Sequence, residues 1–497
     1  MRRYKLMVGG VCVLVCWMMN SSRVVAADQC FVCHDAIGGK PALLFKGDIH
    51  RQKGVSCAGC HGGDASTDDM DRAMSKAAGF TGIPRGDDIS KVCAGCHAHP
   101  EAMAKYHANL PTNQFTQLNS SAHGALSVTG KEHIAQCTTC HNAHGIVSVK
   151  SPASPVHPLR IVATCTKCHN DAAYMRTYNP SLRVDQLGEY RTSVHGKRNV
   201  QGDVKAAECA SCHGSHAILP ASDMNSSISP VRIPFTCSRC HSDAQYMQQY
   251  GIPTDQYEKY SRSVHGVALL QRHDPGAPAC NSCHGNHGAT PPGVKSVSKV
   301  CGTCHALNAD LFASSPHKKA FDEMGLPECS TCHGNHEIVA ATDSLLGTGP
   351  DAACSQCHSM DEYPAGYRAA ATMRALIDSL EQSEQEAHSL VDEAEQKGME
   401  ISEEKFKLRD VRQARLEART AVHAFSVEKF HQVVDKGLST SSTVSTEARL
   451  AIEEYSFRRL GLGVATLIIS IVAISVYLYI RRVEKHRATR GAPAARV

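Results

Sequence analysis

Between Cys30 and His358 one five-residue pattern, Cys-x-x-Cys-His, occurs eleven times, once for about every 30 residues. The cysteine pairs are Cys30 with Cys33, Cys57 with Cys60, Cys93 with Cys96, Cys137 with Cys140, Cys165 with Cys168, Cys209 with Cys212, Cys237 with Cys240, Cys280 with Cys283, Cys301 with Cys304, Cys329 with Cys332 and Cys354 with Cys357. A histidine follows each pair: His34, His61, His97, His141, His169, His213, His241, His284, His305, His333 and His358. The two remaining cysteines, Cys12 and Cys16, lie within the first twenty residues. So little polypeptide per motif cannot build an ordinary hydrophobic core. Two thiols at this spacing can add across the two vinyl groups of one haem, and the adjacent histidine then stands under the iron as an axial ligand. A disulfide scaffold needs no histidine after every second cysteine, and zinc ribbons would leave most of these histidines idle. The pattern predicts eleven covalent c-type haems whose porphyrins supply much of the apolar interior, spaced closely enough to form a continuous chain.

The array has internal repeats. Ser193-Val194-His195-Gly196 returns as Ser263-Val264-His265-Gly266 and nearly as Ser121-Ala122-His123-Gly124, with weaker relatives at His50 and Ser315-Pro316-His317. Each precedes a motif that, in four cases, is followed at the third position after its histidine by another: His144, His216, His287 and His336. A plainer motif and a short helix complete the unit. After His97, His169 and His241 a methionine (Met103, Met175, Met247) and a tyrosine (Tyr106, Tyr178, Tyr250) fall three apart, on one helix face. They are expected to pack that helix on a porphyrin rather than to ligate iron.

Each low-spin haem needs a distal ligand. Taken repeat by repeat, His123 with His144, His195 with His216, His265 with His287, and His317 with His336 serve the eight haems from Cys137 to Cys357. The N-terminal module has only His50, because Asp64 stands at the third-after position. Two of its three haems are therefore short, and His99 and His107 are the nearby candidates. His423 is a more remote one; it lies in an apolar row and reads either as a hydrogen-bonded core residue or as a haem ligand. His133, His157 and His273 fall outside the repeat, as surface or propionate contacts.

Arg2, Arg3 and Lys5, an apolar stretch over 6–19 and Val25-Ala26-Ala27 read as a secretory signal over 1–27. Residues 461–480 carry no charge and are long enough to cross a bilayer, and the basic residues from Arg481 to Arg490 place the C-terminus in the cytoplasm. The expected order is the signal, an undecahaem domain over 28–360, an α-helical hairpin or stalk over 361–455, a transmembrane helix over 456–482 and a basic tail over 483–497. The hairpin should break near Gly398 and reach the membrane through a Ser/Thr-rich hinge at 439–445. The fold class is mostly α with extensive irregular loops, a tandem haem array followed by long helices and one membrane helix. A net charge of +4 implies no nucleic-acid surface.

Residues 30–358 resemble the multihaem c-type cytochromes with doubled CxxCH motifs. That resemblance implies bis-histidine haems that relay electrons between membrane quinol oxidation and periplasmic or extracellular acceptors in anaerobic-type respiration. It implies as partners a membrane quinol-oxidising subunit, periplasmic or outer-membrane cytochromes, and the cytochrome c maturation machinery; a homo-oligomer stays open. The tetrahaem quinol dehydrogenases carry their membrane helix at the N-terminus, whereas here it is at the C-terminus, so their quinol site is not carried over. An electron carrier in the cytoplasmic membrane, haems facing the periplasm, is the leading expectation. The alternative is a multihaem reductase of nitrite, hydroxylamine, tetrathionate or sulfite, which needs one haem with an open distal position.

Overall fold

In the computed structural model, which describes residues 28–293 and 296–490, the chain consists of helices and irregular loops. No strand occurs among the described residues; an isolated antiparallel bridge joins Leu126 to His133. The expected fold class holds. The signal segment and residues 491–497 of the tail lie outside the described residues. The chain divides into two compact units, one of residues up to 232 with 287–289, the other of 233–286 with 290 onward. Six motifs lie in the first unit and five in the second.

Two local forms of the motif recur. At five of them the motif is a single helical turn: Ala58–His61, Cys137–His141, Cys209–His213, Cys280–His284 and Cys329–His333. Each turn stops at a residue with φ between 67° and 84°: Gly62, Asn142, Gly214, Gly285 and Gly334. That backbone region suits glycine and ends the helix at once, so the chain swings away toward the third-after position. The motifs at Cys93, Cys165 and Cys237 instead close longer helices, Asp87–His97, Ile161–His169 and Ile233–His241. The first motif lies on α1 (Gln29–Ala36), a helix with no buried residue.

The Ser-x-His-Gly element is a capping device. Ser193 Oγ accepts from Gly196 N at 2.9 Å and donates to the Tyr190 carbonyl at 2.6 Å; Ser263 repeats this with Gly266 and Tyr260. A β-carbon on Gly196 or Gly266 would stand 1.9 Å from that same carbonyl oxygen, so only glycine allows the helix to approach so closely. At His50 the buried Asp48 replaces the serine and accepts from the His50 N–H and the Ile146 N–H.

After the last motif come α2 (Pro364–Gln396), α3 (Ser402–Ala421) and α4 (Val427–Arg490). The break near Gly398 is present; Gly398 has φ 74° and its N–H bonds to the Glu395 carbonyl. The expected hinge at 439–445 is not. Residues 439–445 are helix interior in α4, where the fully buried Ser441 hydroxyl bonds to Ser383. Serine and threonine satisfy themselves there against backbone carbonyls one turn back, as Thr440 does against Lys436, so their polarity does not interrupt the helix. The real break is a turn at 422–426, where Phe425 takes φ 48°. The inward apolar residues on either side of this turn thus belong to two helices. Val411, Ala414 and Ala418 face inward from α3, and Phe430 and Val434 from α4. One core layer joins Met373, Ile377, Leu380, Val411, Phe430 and Val434; a second joins Ala387, Val391, Leu408, Val444 and Ala448. The uncharged stretch of α4 is wholly exposed, with a mean hydropathy of 2.3 in its most apolar window, and is compatible with a single membrane span.

Candidate haem sites

Among the described residues, nine motif histidines face a second imidazole with ring centroids 5.8–6.2 Å apart. The same gap recurs whether the two rings are parallel or crossed, so one shared spacer, not ring stacking, sets it. A metal with bonds of about 2 Å to a nitrogen on each side, and about 1 Å from nitrogen to ring centre, spans about 6 Å. The residues present therefore fit bis-histidine haem iron.

The thiols of the motifs are accessible in the same regular way. In all eleven the first cysteine is half-buried. The second is exposed at Cys33, Cys60, Cys96, Cys140, Cys212, Cys283, Cys304 and Cys357, and half-buried at Cys168, Cys240 and Cys332. A cysteine left as a small apolar core residue would be sealed in. These thiols all stay at least partly accessible.

The pairs obey two rules. The upstream histidine faces the second motif of its own unit: His50 with His97, His123 with His169, His265 with His305 and His317 with His358. The third-after histidine faces the first motif of the preceding unit: His144 with His61, His216 with His141, His287 with His213 and His336 with His284. Backbone bonds lock this interleaving. Ile49, Ala122, Val194 and Val264, each one residue before an upstream histidine, donate to Ile146, Ile218, Ala289 and Ile338, each two residues after a third-after histidine. The repeat-by-repeat grouping is thus redistributed: the two spare histidines of a unit serve different units. The consequence for the N-terminal module is that His50 and His144 face two of its three motif histidines.

At the other edge no further unit follows, and His333 faces His423, 6.1 Å away, from the turn between α3 and α4. His423 Nδ1 donates to the Thr420 carbonyl at 3.0 Å, which fixes the ring and leaves Nε2 for a metal. Of its two readings, the structure shows the hydrogen bond of the first and the geometry of the second. Phe425, in the same turn, lies with its ring centroid 3.8 Å from that of His317, a contact the sequence does not announce.

Among the described residues, His99 and His107 face no motif imidazole at this spacing. His99 precedes the short helix Pro100–Lys105, and His107 has φ 51°. His133 pairs with Asp87 at 2.8 Å, His157 is buried, and His273 has φ 56°. Met103, Met175 and Met247 are all buried, as packing residues should be. His195 holds the upstream place of its unit in sequence.

Burial pulls the pKa of His97, His141, His169, His213, His333 and His423 down; a neighbouring imidazole adds to this for all but His169, while at His423 the hydrogen bond to Thr420 acts the other way. Neutral imidazole is the metal-binding form. Asp48 is pushed up by burial, but hydrogen bonds from His50 and Ile146 outweigh that and hold it below the usual carboxylate range.

Within each unit the thiols of successive motifs lie close enough to act on one another electrostatically. In the first unit this joins Cys30 with Cys57, Cys60 with Cys96, Cys93 with Cys137, Cys140 with Cys168 and Cys165 with Cys209. In the second it joins Cys237 with Cys280, Cys283 with Cys301 and Cys304, Cys301 with Cys329, and Cys332 with Cys354. Attached porphyrins would follow one another in the same order.

Residues 49–170 match the family model of cytochrome c3. No curated protein and no solved structure matches the chain. The matched segment holds four motifs and three complete imidazole pairs, and the partner of its fourth, His216, lies beyond it. The likeness is to a multihaem c-type cytochrome, with covalent c-type haem as cofactor and electron transfer as its general role.

Proposed function

We propose that the chain binds eleven c-type haems through its motif cysteines and passes electrons along them one at a time. The nine imidazole pairs carry this reading, because each joins a motif histidine to a distal histidine at haem-spanning distance. On register alone His195 is a tenth distal ligand. The route runs between a membrane quinol-oxidising partner, met through the single span of α4, and periplasmic or outer-membrane cytochromes, with the haems on the periplasmic face. The basic residues that follow the apolar segment support that sidedness. The reductase of a small nitrogen or sulfur oxyanion is the second reading, and it is favoured by His34, which faces no imidazole among the described residues.

The test is a haem count with ferric EPR. Eleven haems per chain are expected, with two families of low-spin signal. Ring planes are within 21° of parallel at the five single-turn motifs, but 79–90° apart at His97, His169 and His358. Crossed ligand planes leave the two iron dπ orbitals nearly degenerate, whereas parallel planes split them. A chain that takes up markedly fewer haems, or shows one uniform signal, defeats the reading.

A further inference from the structure

The two pairing rules, with His423 closing the last unit, supply ten distal histidines for eleven motifs. The exception is the first. Under the upstream rule its donor would precede Cys30, and no histidine precedes His34 in the sequence. Under the third-after rule the position that would reach back is 64, an aspartate. The Asp64 carboxylate is engaged locally, accepting from the Ser66 N–H at 2.9 Å and lying 3.8 Å from Arg72. Among the described residues, which include every histidine of the chain, none faces His34 at the spacing of the other pairs. His99 and His107, the nearest in sequence, do not. Neighbouring segments reach α1 through Phe45 and Arg51, which pack on Phe31, and through Ala65, whose carbonyl accepts from the Gln29 N–H; none of these supplies an imidazole.

We propose that the haem attached at Cys30 and Cys33, held by His34, keeps an open distal position and binds a small lone-pair donor there, of the class of carbon monoxide and nitric oxide. This rests on the haem reading above. It adds a ligand-binding haem at one end of an otherwise coordinatively closed series.

The experiment uses the full-length, haem-loaded protein. Ferric EPR should show one high-spin haem beside ten low-spin, and the reduced protein should take up one carbon monoxide per chain. Eleven low-spin haems with no carbon monoxide uptake overturn the proposal while leaving the electron-transfer reading intact; a haem count far below eleven instead defeats that reading. The C30S/C33S chain, lacking the first haem, should lose the high-spin signal and the carbon monoxide together. Persistence of either in that variant overturns the assignment to this motif. If that chain does not accumulate, His34→Tyr replaces the axial imidazole by a phenolate. It should then shift the high-spin charge-transfer band while the low-spin signals stay fixed; an unmoved band overturns the assignment equally.

Discussion

The two ends of the motif series solve the same problem differently. Each unit's first motif faces a histidine from the unit that follows, so the last unit has none to take, while the lone first motif lacks an upstream histidine of its own. At the C-terminal edge the donor comes from outside the repeat: His423 faces His333 from a turn that leads directly into α4. At the N-terminal edge no donor replaces the missing one, and His34 faces no imidazole among the described residues. A closed iron exchanges electrons without rearranging its ligands, whereas an open one can also bind. On the proposed reading, the closed edge, which adjoins the helix compatible with a membrane span, suits electron exchange, and ligand binding falls to the first motif.

The largest expected effect follows from removing the closure. His423→Ala should add one high-spin haem to the ferric spectrum and one equivalent of carbon monoxide uptake after reduction. His99→Ala and His107→Ala should leave both counts unchanged. An unchanged spectrum in His423→Ala would make that histidine a core residue and abolish the contrast between the ends. His144→Ala tests the interleaving itself. It should open the haem at Cys57, not either haem of the unit in which His144 lies, so the new high-spin signal should be absent when Cys57 and Cys60 are also replaced by serine. A signal that survives this replacement restores pairing within the unit.

The motifs, the repeat and the donor types were legible in the sequence because covalent attachment and ligation fix residue types at fixed spacings. Which donor meets which motif was not. That pairing depends on a turn reversing the chain after Gly62, Asn142, Gly214, Gly285 and Gly334, and on backbone bonds such as Ile49 to Ile146, nearly a hundred residues apart. The glycines after the motif histidines were the available signal. His423 was visible as an imidazole in an apolar row, but its meaning waited on the break at Phe425, a left-handed position that local pattern does not mark. The Ser/Thr-rich stretch at 439–445 misled for the opposite reason: polar residues usually mark hinges, yet tertiary packing against α2 keeps them helical.

A smaller effect separates inner units from terminal ones. The three inner upstream elements carry glycine after the histidine (Gly124, Gly196, Gly266), whereas the first and last carry Arg51 and Lys318. Gly196→Ala puts a methyl against the Tyr190 carbonyl and should cost roughly 3 kcal/mol of unfolding free energy, the upper end for overpacking. Arg51→Ala, at the same register in the first unit, loses only a guanidinium 4.3 Å above the Phe31 ring, worth about 1 kcal/mol. Denaturant titration of the two variants compares them directly. Equal losses would show that the terminal unit is built like the inner ones.

A further effect, fading in acid, concerns what holds the C-terminal closure in place. Asp343, buried in the loop after the last third-after histidine, accepts from Arg415 at 2.8 Å and Arg419 at 2.7 Å, both on α3, just ahead of the His423 turn. Burial pushes its carboxyl up, but the two guanidinium groups together outweigh burial and hold it below the usual carboxylate range. A carboxyl depressed in the folded state contributes stability that is complete above its unfolded value and fades as pH falls through the lower folded one. Asp343→Asn should therefore cost about 2 kcal/mol at neutral pH, between the values for exposed and fully buried pairs, and less in acid. Thermal unfolding of the two proteins between neutral and acid pH reads this out, and their stabilities should converge as pH drops. The His333–His423 low-spin signal should persist in the variant at neutral pH, because α2, α3 and α4 still pack through Ile377, Val411 and Phe430. Loss of that signal would mean that this ion pair, rather than the apolar core, sets the position of the closing imidazole.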